Sequence, residues 1–274
     1  MSWTEFFSQR IPHIYLVYGL AFFALGLAVI LEIGRAEPVR FNRAMLPLAF
    51  FGIVHGIHEW LEMFAIVGRQ TYDFQPPFWF EVARLVILAV SFSALVIFGI
   101  QTLPQLRRLH GSELWIGLVL LSLYGVGVAG LGYWLKWRQP GWFAAADALA
   151  RYSLAIPGAV LTAWALLAQR QPLIQANKTS LANNLFWPAS AFFLYGIIGQ
   201  LFIGASPLFP STIINAGTFL NWFGIPIQLF RAIMAVIAAV SIVWVLRSFE
   251  ANRQQALSKV ANAPISKPEV SQHT

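Results

Sequence analysis

The chain of 274 residues contains no cysteine and few charged residues. Without cysteine it can form no disulfide, no thiolate nucleophile and no cysteine-ligated metal centre. Charged residues make up 11% of the sequence, whereas soluble domains carry about 25%. Hydrophobic residues make up 58%, and the mean hydropathy is +0.66. This composition indicates a protein that lies in a membrane.

Lysine is also scarce and occurs only in connectors and in the tail, at Lys136, Lys178, Lys259 and Lys267. The last apolar stretch therefore has no lysine for a retinal Schiff base, which excludes a retinal protein. The net charge of +7 predicts no nucleic-acid partner, because basic residues of membrane proteins mostly mark cytoplasmic loops.

Apolar stretches of roughly 20 residues recur along the whole chain. They predict an all-α polytopic membrane protein, a bundle of seven transmembrane helices at about 12–33, 45–67, 79–103, 114–136, 147–169, 185–205 and 225–247. Residues 1–250 are predicted to form this transmembrane domain. Residues 251–274 are predicted to form a polar tail that is helical at first and then largely disordered.

The basic residues of the connectors predict the orientation, because cytoplasmic loops carry an excess of Lys and Arg. One side holds eleven of them, namely Arg35, Arg40, Arg43, Arg107, Arg108, Arg170, Lys178, Arg247, Arg253, Lys259 and Lys267. The other side holds four, namely Arg10, Arg69, Lys136 and Arg138. We therefore expect the N-terminus outside and the C-terminus in the cytoplasm, in a bacterial inner membrane.

The segment "FGIVHGIHEWLEMF" (51–64) places four ionisable residues in the second predicted helix. His55, His58, Glu59 and Glu62 follow the i, i+3, i+4, i+7 spacing that puts them on one helix face. A charge that faces lipid is costly, so this face is expected to contact protein or water.

Further polar residues fall at the same predicted depth in other helices, at Glu81, Arg84, Arg151, Gln200, Gln228 and Arg231. Together with the face of the second helix they predict a ligand pocket open to the extracytoplasmic side. The arginines are expected to pair with the glutamates or to bind an anion. In the alternative, buried pairs only hold helices in register, and Asp147 with Arg151 forms an i, i+4 pair at the membrane surface.

A metal or haem site is another alternative for the second helix. His55, His58, Glu59 and Glu62 offer nitrogen and oxygen ligands that suit zinc or iron, although their spacing is not that of HExxH metalloproteases. Haem would need His13 together with His55 or His58. No catalytic nucleophile is evident for an intramembrane enzyme.

Glycine-rich segments in the fourth and sixth predicted helices, "YGVGVAGLGYW" (124–134) and "YGIIGQLFIGA" (195–205), are typical of faces on which helices approach closely. Pro157 and Pro226 are expected to kink or start helices next to Arg151 and Arg231.

The chain resembles the seven-helix membrane input domains of some bacterial sensor histidine kinases and diguanylate cyclases. The similar segments are "YGLAFFALGLAVILE" (18–32), "AFFGIVHGIHEWLEMF" (49–64), "RYSLAIPGA" (151–159), "FPSTIINAGTF" (209–219) and "GIPIQLFRA" (224–232). The resemblance implies a non-enzymatic sensory module, but here no kinase or cyclase motif follows the last helix. We therefore expect either that the signal passes to a separate cytoplasmic kinase or cyclase or that the sequence is a piece of a larger sensor. A homodimer is compatible with both interpretations. A small-molecule or ion transporter is the main rival, and it would need a polar path to both faces.

Overall fold

The computed structural model describes residues 3–35, 40–109, 111–137 and 141–261. These ranges are helices joined by turns and short connectors, without strands. Seven helical segments are long and apolar enough to cross a membrane. The predicted all-α architecture with seven helices that could each cross a membrane is therefore confirmed in the described residues, while the side of the membrane on which each terminus lies stays a prediction.

We number the seven segments as the first to the seventh span: Ile11–Ile33, Ala44–Tyr72, Phe78–Thr102, Glu113–Trp134, Gly141–Gln175, Thr179–Gly199 and Ile227–Ala251. The helices are α1 (Trp3–Ser8), α2 (Ile11–Arg35), α3 (Arg40–Tyr72), α4 (Phe78–Thr102), α5 (Glu113–Trp134), α6 (Gly141–Ala150), α7 (Ile156–Ala168), α8 (Arg170–Gln175), α9 (Thr179–Asn184), α10 (Phe186–Leu194), α11 (Ala216–Phe223) and α12 (Ile227–Ala261). A 3₁₀ turn covers Pro104–Leu109.

The fifth and seventh spans belong to helices longer than the sequence predicts. The fifth span begins at Gly141, six residues before its predicted start, so Asp147 lies within a helix and not at its end. Helix α12 continues past the membrane segment to Ala261, because residues 251–261 are mostly good helix formers. The disorder predicted for the end of the tail concerns residues 262–274, which lie outside the described residues.

Two π-helical turns interrupt the fifth and sixth spans, at Arg151–Ala155 and Tyr195–Gly199. Pro157 follows the first turn, and its missing backbone N–H removes one regular helical hydrogen bond there. The π turns carry Arg151 and Tyr195 into the interior of the bundle, where both side chains are buried. Single π turns in α-helices often occur at functional sites.

Glycines of the first and second spans, which the sequence analysis did not single out, allow these two helices to approach closely. A Cβ on Gly26 would lie 2.5 Å from the carbonyl oxygen of Ala49, and one on Gly56 would lie 2.7 Å from that of Gly19. In the fourth span, a Cβ on Gly125 or Gly130 would contact nothing within 4 Å, so the expectation of a close contact there is wrong at these two positions. In the sixth span the expectation holds at Gly196, where an added Cβ would lie 2.5 Å from the Cβ of Ala159.

We call the end of the bundle at which the first, third, fifth and seventh spans begin the pocket end. Charged and hydrogen-bonding side chains gather there. The opposite half has a core of apolar side chains that includes Leu25, Val29, Leu48, Leu95 and Phe98. The connector between the sixth and seventh spans covers the pocket end, where Phe202, Phe219 and Ile227 form a separate apolar cluster.

Candidate functional site

His55 lies in the middle of the bundle, at the centre of a hydrogen-bond chain that joins four spans. The Ser91 hydroxyl donates to the carbonyl oxygen of Leu88 over 2.7 Å, so it can only accept from His55 Nδ1, 3.1 Å away. His55 Nε2 is then free to accept from the Tyr195 hydroxyl at 2.7 Å, and Tyr18 can donate to Tyr195 at 2.9 Å. A neutral His55 therefore satisfies every donor of this chain.

His58 and Glu59 are fully buried one turn further toward the pocket end and are poorly satisfied. Neither ring nitrogen of His58 has a hydrogen-bond partner, and the nearest carboxylate, Glu62 Oε1, is 3.6 Å from Nε2. Glu59 Oε1 also lacks a hydrogen bond, although it lies 3.2 Å from His55 Nε2. Buried polar atoms without partners are rare in folded proteins, so this region is costly for the fold.

Glu62 begins a row of ion pairs between the second and third spans. Arg84 contacts Glu62 through Nη1 and donates to Glu81 Oε2 through Nη2 at 2.6 Å. Arg69 lies 3.8 Å from the other oxygen of Glu81 and is 41% exposed. Arg84 thus bridges two carboxylates, one on each span.

The Asp147–Arg151 pair predicted from the sequence forms, but inside the bundle and not at its surface. Arg151 Nε donates to Asp147 Oδ2 at 2.8 Å, and Nη1 donates to the Gln200 side-chain oxygen at 2.9 Å. Arg151 and Gln200 are both buried, and the Gln200 side-chain nitrogen has no hydrogen-bond partner. The interaction connects the fifth span to the end of the sixth.

Arg231 of the seventh span is bound differently, by backbone carbonyls. Its Nε donates to Gly199 at 2.6 Å and its Nη2 to Phe202 at 3.0 Å, at the point where the sixth span ends and leaves carbonyl groups without helical partners. Among the described residues, no carboxylate oxygen lies within 4.0 Å of the Arg231 guanidinium, the distance that defines an ion pair.

Several of these charged and polar side chains surround a cavity of about 330 Å³ at the pocket end. Its charged and polar lining is Tyr15, Glu62, Arg69, Glu81, Arg84, Asp147, Arg151, Gln228 and Arg231, and its other lining is Phe143, Ala144, Phe202, Ile203, Gly204, Ala216 and Ile227. Of the ten predicted pocket residues, the structure brings six to this wall: Glu62, Glu81, Arg84, Arg151, Gln228 and Arg231. The other four, His55, His58, Glu59 and Gln200, are buried outside it.

The ten predicted pocket residues leave out several polar residues of this region, among them Asp147, Arg69 and Tyr195. Asp147 was recognisable from its i, i+4 spacing to Arg151, and was assigned to the surface because the fifth span was expected to begin at 147. Arg69 was counted among the loop residues, although the second span reaches Tyr72. Tyr195 had no signal in the sequence, because its contact with His55 depends on how the sixth and second spans pack.

The arrangement does not support the metal and haem alternatives. In the part of the chain that the structure describes, no three His, Asp or Glu side chains form a group that could hold a metal ion. His13 is exposed, whereas His55 and His58 are buried, so the expected haem ligands lie in different environments.

Comparison with protein-family models, with curated proteins and with solved structures finds no match for this chain.

Proposed function

We propose that the protein is a non-enzymatic membrane sensory module that binds a small polar ligand in the cavity at the pocket end. One observation carries the proposal: helix α12 contributes Gln228 and Arg231 to the cavity and then runs without a break to Ala261. Its 35 residues extend over about 50 Å, more than the roughly 30 Å of a bilayer core. A change in the contacts of Arg231 can therefore move one rigid element that reaches the far side of the membrane.

The cavity faces the extracytoplasmic side in this proposal, and the end of α12 faces the cytoplasm, where a separate kinase or cyclase receives the signal. The distribution of basic residues supports this orientation. The charged contacts of the cavity and the resemblance to sensory input domains support ligand sensing.

A transporter is less well supported because, among the described residues, the buried charged side chains lie in the half that holds the pocket end. The buried polar residues of the opposite half, Ser93, Thr102, Thr162 and Ser241, are all uncharged. In the described part of that half, a polar substrate would meet no buried charged side chain.

The absence of cysteine permits a test that needs no known ligand. A single cysteine at Ala144, on the cavity wall, would be modified in sealed vesicles with the membrane-impermeant, negatively charged reagent 2-sulfonatoethyl methanethiosulfonate. We expect modification from one side of the vesicle only. We also expect the reagent attached at position 144, which fills the cavity, to change amide hydrogen exchange in residues 248–261 of α12.

The matched control is a cysteine at Thr212, which is exposed on the connector outside the cavity. Its modification should leave exchange in α12 unchanged. Modification of Ala144→Cys from both sides would favour a transporter, and unchanged exchange in α12 after complete modification would reject the sensory proposal.

A further inference from the structure

The charged side chains that line the cavity do not balance. Four arginines (Arg69, Arg84, Arg151 and Arg231) face three carboxylates (Glu62, Glu81 and Asp147). Each carboxylate already contacts one of the first three arginines. Arg231 is the cavity arginine left without a carboxylate among the described residues. A buried charge without a counter-charge is costly, so one further negative charge would stabilise this lining.

Arg231 is also positioned in advance for such a partner. The residue is only 4% exposed, and two backbone carbonyls hold its Nε and Nη2. Its Nη1 donates to no protein acceptor in the described structure, which leaves donors of the guanidinium available at the cavity wall. Gly199 permits this placement, because even a Cβ there would lie 3.3 Å from Arg231 Cγ. A fixed guanidinium fork matches the oxygens of a carboxylate or phosphate group.

Among the described residues, Glu59 is the one buried carboxyl outside the cavity wall, and it could balance Arg231 from a distance. It does not line the cavity, it makes no ion pair with Arg231, and its Oε1 lies against His55. Replacement of Glu59 therefore separates the two sources of negative charge experimentally.

The rest of the wall indicates the body of the ligand. Phe143, Phe202, Ile203 and Ile227 supply apolar surface. The volume of about 330 Å³ is at the lower end of the range of about 300–1,000 Å³ that is usual for small-molecule sites. An inorganic ion would leave this apolar surface uncovered, whereas a small organic anion would cover it.

We propose that the cavity binds a singly charged oxyanion with an apolar body, and that Arg231 holds its charged group. This inference rests on the proposed function, since it assumes that the cavity is a ligand site. Two sources share this chemistry: a soluble monocarboxylic acid and the phosphodiester headgroup of an anionic lipid.

The experiment measures the thermal unfolding midpoint and the equilibrium binding of the full chain in phosphatidylcholine nanodiscs. The probes are butyrate and benzoate, with butyramide and butylammonium as neutral and cationic counterparts. Of these four probes, we expect only butyrate and benzoate to bind and to raise the thermal unfolding midpoint. Nanodiscs that also contain phosphatidylglycerol form the second arm, and a stabilisation that occurs only there would assign the site to lipid.

Arg231→Met should weaken binding of the anion about tenfold or more, which corresponds to the loss of one charge-assisted hydrogen-bonded pair. Arg231→Lys keeps the positive charge but not the guanidinium fork, so its affinity for the anion should lie between that of the unmodified chain and that of Arg231→Met. This variant also serves as the test if Arg231→Met disturbs folding. Arg170→Met is the matched control, because Arg170 also donates its Nε to a backbone carbonyl, that of Ala182, but does not line the cavity. This variant should bind the anion as tightly as the unmodified chain. Glu59→Gln should leave the anion bound at least as tightly as in the unmodified chain.

Preferential binding of butylammonium, equal binding of anions to Arg231→Met, or no stabilisation by either carboxylate or phosphatidylglycerol would overturn the inference. None of these results bears on whether filling the cavity moves α12, so the sensory proposal would be judged separately by the cysteine experiment.

Discussion

At the pocket end, charged side chains of the second and third spans contact each other, and Asp147 pairs with Arg151 within the fifth span. Arg231 of the seventh span faces the same cavity. In the opposite half, the first two spans pack backbone against backbone at glycine, and the core between them is apolar. The first arrangement depends on charges whose partners can be exchanged, while the second depends on shape. Under the sensory proposal, a ligand would rearrange the pocket end while the opposite half keeps the spans in place.

The same contrast recurs on a smaller scale between two arginines of the cavity. Arg151 is paired with a carboxylate and a side-chain amide, whereas Arg231 is paired with backbone carbonyls. The side-chain partners of Arg151 complete its interactions within the protein. The carbonyl partners of Arg231 fix its position and leave its charge for another molecule.

The largest effect is expected from breaking the backbone contact of the opposite half. Gly26→Val places a side chain where a Cβ alone would lie 2.5 Å from the Ala49 carbonyl oxygen, so the first and second spans must separate. We expect the free energy of unfolding in detergent micelles to fall by about 3 kcal/mol. Gly125→Val is the matched control, because a Cβ there contacts nothing within 4 Å. Equal losses in the two variants would show that shape does not stabilise this half.

A smaller difference is expected between the two arginines in the absence of ligand. Arg151→Met should lower the free energy of unfolding by about 2 kcal/mol, since Asp147 loses a charge-assisted hydrogen bond inside the bundle. Arg231→Met should cost about 1 kcal/mol or less, because it removes carbonyl contacts together with a buried charge that has no counter-charge.

Denaturation of both variants under the same conditions gives the comparison. Asp147→Asn combined with Arg151→Met should recover part of the loss, since no buried carboxylate is then left alone. A larger loss from Arg231→Met than from Arg151→Met would mean that Arg231 has a structural role like that of its neighbour.

Much of the architecture could be predicted because membrane spans depend on local properties. Length and apolarity alone identify the seven segments. The i, i+7 face of the second span and the common depth of Arg84, Arg151 and Arg231 were likewise predictable, because helix geometry and topology suffice to place them.

The prediction did not distinguish which of these residues reach the cavity. His55, His58 and Glu59 share a helix face with Glu62, yet only Glu62 lines the cavity, because depth along the span decides access. The glycine contact between the first two spans was missed for a related reason. Glycine is more frequent in the fourth span than in either of the first two, and only the packing of helices shows which glycines face a neighbour.

The smallest effect is expected where the two halves meet, in the hydrogen-bond chain of His55. Tyr195→Phe removes the donor to His55 Nε2 and the acceptor of Tyr18, while the ring and its packing remain. We expect a loss of about 1 kcal/mol in the free energy of unfolding, the usual size for a buried neutral hydrogen bond. Tyr133→Phe, at an exposed tyrosine of the fourth span, should change it by a few tenths of a kcal/mol at most. If Tyr195→Phe stabilises the protein, the hydrogen-bond chain of His55 lowers the stability of the fold. Its buried hydroxyl groups would then belong with the functional residues of the pocket end.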